Sequence, residues 1–140
     1  MGNIAADRYV AAKYYGDAMA QFDPLAQSLG HRDLVVERAL GSVAAKIGGI
    51  ELERGNLLAA LSSFSRALQV AEALLAAEGP NASRETRLTV AGANADVGRV
   101  LLRNGARAEG VAKLRKALGI YRELGEADRA GRLEEELGRE

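Results

Sequence analysis

The chain repeats itself at an interval of fifty residues. "ERGNLLAALSSFSRAL" spans residues 53–68, and "RNGARAEGVAKLRKAL" spans residues 103–118. The same shift pairs Ala45 with Ala95, Gly48 with Gly98, Leu52 with Leu102 and Gly55 with Gly105. Further on it pairs Ala67 with Ala117, Leu68 with Leu118 and Leu74 with Leu124. Ile47/Val97, Ile50/Val100, Phe64/Leu114 and Val70/Ile120 are conservative matches. Self-similarity in register marks one supersecondary unit used twice. Such a unit buries its apolar face against its neighbours, and this restricts the chain to repeat architectures.

The period of the apolar residues says what that unit is made of. Leu57, Ala60, Leu61, Phe64, Ala67, Leu68, Ala71, Leu74 and Leu75 recur at spacings of three and four, one wide face of an α-helix. Val36, Ala39, Leu40, Val43, Ile47 and Ile50 form such a stripe ahead of Gly55. Val90, Ala93, Val97, Val100 and Leu101 form another ahead of Gly105. Ala108, Val111, Leu114, Ala117, Leu118, Tyr121 and Leu124 follow, closed by Gly125. A short final helix carries Ala127, Ala130, Leu133 and Leu137, and an opening helix carries Ala6, Val10, Tyr14 and Ala18. "EGPNAS" must end one helix at Gly79 and Pro80 and leaves Asn81 or Ser83 to cap the next. No segment alternates with period two. The expectation is an all-α chain of about six helices with short connections, hence antiparallel neighbours. It forms a single domain over 1–140: a half unit at 1–30, helical hairpins at 31–79 and 81–125, and a capping helix at 126–140.

Gly48 and Gly98 sit inside the first helix of each hairpin, where glycine costs about 1 kcal/mol relative to alanine. A cost incurred twice at one register position points to close approach of a neighbouring helix. Ala60, Ala67 and Ala117 stand beside the large Phe64 and Leu114, so knob and hole alternate along the second helix.

These residues resemble the tetratricopeptide repeat (TPR) signature. Gly48, Gly55-Asn56, Ala60, Phe64, Ala67 and Leu68 carry the resemblance once, and Gly98, Gly105, Leu114, Ala117 and Leu118 carry it again. Gly110 departs, since alanine is usual there. "ADRYVAAKYYGDAM" is similar to the second half of an earlier repeat, with Ala11, Tyr15, Ala18 and Met19 in the places of Ala60, Phe64, Ala67 and Leu68. The usual repeat is about 34 residues. Here it is fifty, so each helix is expected to be about two turns longer. The resemblance, to the long-helix bacterial type, implies an α-solenoid.

Composition narrows the function. Lys and Arg number 19, as do Asp and Glu, so the basic excess of a general nucleic-acid binder is missing. There is no Cys, which excludes disulfides and thiolate metal sites and suits a cytoplasmic protein. No apolar run spans a membrane, and no secretion signal is read at the N-terminus. "HRDLVVER" at 31–38 opens like a kinase catalytic loop, but Arg38 stands where the metal-holding Asn belongs. His31 is the only His, and "EEE" at 134–136 and Glu51/Glu53 lack convergent spacing for a metal. The serines have no base to serve them. No enzyme, metal or cofactor is expected.

What remains is protein–protein interaction. In the TPR family the first helix of each hairpin lines a concave peptide groove. Carried over, that gives Ala45, Gly49, Leu52 and Glu53 from one repeat, and Ala95, Arg99, Leu102 and Arg103 from the next. Arg99 and Arg103 stack one turn apart and suit an acidic–hydrophobic peptide. The Lys/Asn pattern that clamps a chaperone C-terminus is absent, since Ala45 and Gly49 stand there. The alternative is a structural or oligomerisation segment of a larger regulatory scaffold, with no ligand of its own. Tyr9, Tyr14, Tyr15 and Phe22 crowd the opening helix, more aromatic surface than one face hides. A two-fold homodimer through that helix is therefore expected.

Overall fold

The computed structural model describes residues 34–140. Five α-helices account for nearly all of them, with no strand among the described residues. They are α1 (Leu34–Glu53), α2 (Leu57–Glu78), α3 (Arg84–Arg103), α4 (Arg107–Glu123) and α5 (Ala127–Gly138), with a short 3-10 turn over Gly79–Asn81. The expected opening helix, with Tyr9, Tyr14, Tyr15 and Phe22, lies outside the described residues, as does His31. The chain divides into two compact units between Val70 and Ala71, inside α2.

Three of the helix ends are built alike. At the end of α1, the Asn56 N–H donates to the Glu51 carbonyl at 2.9 Å and the Gly55 N–H to Leu52 at 3.0 Å. After α3, Ala106 and Gly105 donate to Leu101 and Leu102 at 2.9 and 3.1 Å. After α4, Glu126 and Gly125 donate to Tyr121 and Arg122 at 2.9 and 3.1 Å. This is the Schellman arrangement, which satisfies carbonyls that the helix leaves open. It requires a left-handed residue, and Gly55, Gly105 and Gly125 supply it at φ 80°, 86° and 72°. The accompanying side-chain contact differs between turns. In the second the two positions are the apolar Leu101 and Ala106, whereas in the first Asn56 Nδ2 donates to the Glu51 carboxylate at 2.7 Å and Arg54 adds a second bond at 3.0 Å. Glu51 is thereby buried without being unpaired.

The connection from α2 to α3 is different. Pro80 and the 3-10 turn stop α2, and Ser83 then caps α3, its hydroxyl accepting from the Thr86 N–H at 3.1 Å. Arg87 ties the loop down by donating to the Pro80 and Ala82 carbonyls.

In the first unit, α1 meets α2 where α1 has no side chain. A Cβ placed on Gly48 would lie 2.6 Å from the Phe64 ring, and one on Gly41 would lie 3.0 Å from Val70. In the second unit, α3 and α4 cross with Gly98 against Leu114 and against the backbone of Gly110. Around that crossing Ala91, Ala95, Leu114, Ala117, Leu118 and Tyr121 form a core with Ala130 and Leu133 of α5. At about 25 cal/mol per Å² of apolar surface, burying one leucine contributes about 1.5–3 kcal/mol, so Leu114 and Leu133, at 0% and 1% exposure, are among its anchors.

Candidate functional site

The second unit offers one surface where charge gathers. Gly92, Asp96, Arg99 and Arg103 succeed each other at spacings of four, three and four, so they share one strip of α3 beside its buried stripe. Arg129, Arg132 and Glu136 share the adjoining strip of α5 in the same way. The two strips face one seam.

Two arginines of α3 cross that seam, one to the α4–α5 turn and one to α5. Near the start of α3, Arg84 donates to the Leu124 carbonyl and to the Glu126 carboxylate, both at 2.8 Å. Near its end, Arg99 forks onto Glu136: Nε to Oε2 at 2.9 Å and Nη2 to Oε1 at 2.9 Å. Such a two-point fork is the strong form of an arginine–carboxylate bond. Asp96 stands 3.7 Å from the same guanidinium. Between the bridges, Tyr121 rises from α4 with its hydroxyl under Gly92, where an added Cβ would lie 3.8 Å away. The Arg129 guanidinium lies 5.9 Å from the centre of the Tyr121 ring, within cation–π range.

The electrostatics follow from this packing. Bonding to Glu136 pushes the Arg99 guanidinium further above its ordinary range, so it stays charged throughout. Burial raises the Asp96 carboxyl above the usual carboxylate range, and Arg99 opposes this only in part. Burial likewise raises the Tyr121 phenol. Arg103 and Arg132 are exposed and make no ion pair among the described residues. Around the seam, then, Arg84, Arg99, Arg103, Arg129 and Arg132 face the three acids Asp96, Glu126 and Glu136.

The residues expected at a groove separate into two groups. Arg99 and Arg103 lie on the charged strip. Ala95 does not: at 2% exposure it belongs to the α3–α4–α5 core, and Leu102 packs on that core against Gly110. The strip of α3 turned outward passes through Gly92 and Asp96. In the first unit, Ala45, Gly49 and Leu52 are half-buried and Glu53 is exposed. Gly49 leaves open space where Arg99 stands in the second hairpin. Sequence reasoning missed Gly92, Asp96, Tyr121, Arg129 and Glu136. The spacing of Gly92, Asp96, Arg99 and Arg103 was a readable signal, whereas the pairing with Glu136, 37 residues away, left none.

Elsewhere, a shallow polar recess along α2 is lined by Ser62, Ser63, Ser65, Arg66 and Gln69, all from one helix. Among the described residues no group of three or more acids or His converges to hold a metal ion, and no helix is long and apolar enough to cross a membrane. Comparison with protein-family models, curated proteins and solved structures gives no match.

Proposed function

We propose that the chain is a non-catalytic interaction module of the TPR type, whose hairpins are of the solenoid-forming kind. It works in a reducing cytoplasm and holds an acidic segment of a partner protein along the α3–α5 seam. The observation that carries this reading is the strip Gly92–Asp96–Arg99–Arg103 facing Arg129 and Arg132, a cationic surface fixed to a rigid three-helix core. The repeated crossing supports the TPR part: Gly48 on Phe64 and Gly98 on Leu114 occupy equivalent register positions. Preformed helical grooves bind with little ordering cost, which suits a module with no chemistry of its own. The second reading, a structural segment without a ligand, draws on the fact that Arg99 is already paired within the chain.

Isotope-labelled protein titrated with a peptide of repeated Leu-Glu-Glu-Leu units separates the two. Amide shifts are expected at Gly92, Asp96, Arg103 and Arg132, and they should weaken with salt, because exposed charges are screened. Arg103→Glu removes a charge that has no partner in the described chain. That variant should weaken binding while circular dichroism stays unchanged, and adding Arg99→Glu should abolish it. An absence of shifts at millimolar peptide favours the structural segment.

A further inference from the structure

The two arginine bridges across the seam are not equivalent. Arg84 binds a backbone carbonyl at the end of α4 as well as a carboxylate, so it fastens a helix terminus. Arg99 binds carboxylates alone. Its pair with Glu136 is half-exposed, at 41% and 28% of the two side chains, so it opens without unfolding α5. The helix remains held by Ala130 and Leu133, which lie in the core, and by Leu137 packed against it.

Resting on the reading above, we propose that Glu136 occupies the place of a partner's carboxylate. α5 thus masks Arg99 until an acidic segment of another protein displaces Glu136. The fork geometry is the one arginine offers to any carboxylate. The surroundings favour an incoming acid, since Arg103, Arg129 and Arg132 flank the fork, while of the acids at the seam Glu126 is held by Arg84, which leaves Asp96 and Glu136 to oppose them. Arg103, one turn beyond Arg99, fits a second carboxylate one helical turn from the first. The partner therefore carries paired acids, and α5 sets the threshold at which it binds. A competitor tethered in the same chain lowers the apparent affinity by the fraction of sites it occupies.

The test uses the full chain and a fluorescein-labelled peptide of repeated Leu-Glu-Glu-Leu units, read by anisotropy. Glu136→Gln is expected to tighten binding about three- to tenfold, and Arg99→Gln to weaken it and to cancel the gain of Glu136→Gln in the double variant. Glu135→Gln changes net charge equally, but Glu135 is exposed and faces Arg139, so it should leave binding unmoved. Equal tightening by both glutamine variants would reduce the effect to net charge and overturn the proposal. Binding lost in Arg103→Glu but untouched by Glu136→Gln would leave the interaction reading standing and this inference wrong. No binding by any variant would remove both. Equal affinity for a single-stranded oligonucleotide of matching charge, or a doubled mass in light scattering of Glu136→Gln, would also overturn it, by making a phosphate chain or a second copy the occupant.

Discussion

The two hairpins solve one crossing in two ways. In the first, Gly48 makes room for a side chain: its three nearest neighbours are ring carbons of Phe64, at 2.6–2.9 Å from where a Cβ would be. Ala60, fully buried, holds the small position on the facing helix. In the second, Gly98 makes room for backbone. A Cβ there would lie 2.9 Å from the Gly110 carbonyl oxygen, and a Cβ on Gly110 would lie 2.9 Å from the Gly98 carbonyl oxygen. Phe64 has become Leu114, and Ala60 has become Gly110. A smaller knob is matched by a smaller hole, and neither glycine leaves room for a Cβ beside the other's carbonyl. Gly110 is thus no blemish in the repeat; the lost volume of Phe requires it, since interiors stay close-packed.

Gly98→Ala should have the largest effect. The new methyl meets a carbonyl that cannot rotate away. Overpacking of this kind costs about 1–3 kcal/mol, and the helix-forming gain of alanine returns only about 1 of it. A net loss of stability is expected in thermal or denaturant melts. Gly119→Ala in α4, where an added Cβ meets nothing, should instead gain about 0.4–1 kcal/mol. If Gly98→Ala melts at or above the parent, the backbone-contact account is wrong.

A double-mutant cycle tests whether the two crossings follow one packing rule. Gly110→Ala and Leu114→Phe each introduce a group for which the second crossing has no space. Together they rebuild the first crossing, in which the larger knob holds the helices apart and leaves room for alanine. The pair should therefore cost less than the sum of its members, by at least about 0.5 kcal/mol. Additive losses would mean that the two crossings are unrelated in their packing.

The same contrast explains what was legible in the sequence. Helix ends were, because each is marked by a residue with a local reason: Gly55, Gly105 and Gly125 for the left-handed turn, Pro80 and Ser83 for the stop and cap. The close approach at Gly48 and Gly98 was legible too, as a cost repeated in register. For the side of α3 that faces outward, two signals in the sequence point differently. Ala95 and Leu102 were placed in a groove by family register, yet the periodicity of α3 itself sets Gly92, Asp96, Arg99 and Arg103 on one strip. Glu136 and Tyr121 reach the site through tertiary packing, where no local spacing points to them.

The smallest effect concerns Asp96, which has no counterpart in the first hairpin, where Lys46 occupies the shifted position. Burial raises its carboxyl above the ordinary range, and the Arg99 charge at 3.7 Å does not fully compensate. A carboxyl whose folded pKa is raised binds its proton more readily in the native state than in the unfolded one. Its contribution is therefore most favourable at acid pH, below the unfolded value, and declines as pH rises through the folded value. At neutral pH the ionised Asp96 is a net burden on stability. Asp96→Asn keeps the shape and removes the ionisation, so a small rise in Tm is expected at pH 7. That advantage should shrink as pH falls through the carboxylate range and vanish once Asp96 is protonated in both states. Melts of the two proteins across that range give the answer. A variant less stable than the parent at pH 7 would mean that the ion pair with Arg99 outweighs desolvation. In that case Asp96, like Glu136, would be part of what holds the arginine in place.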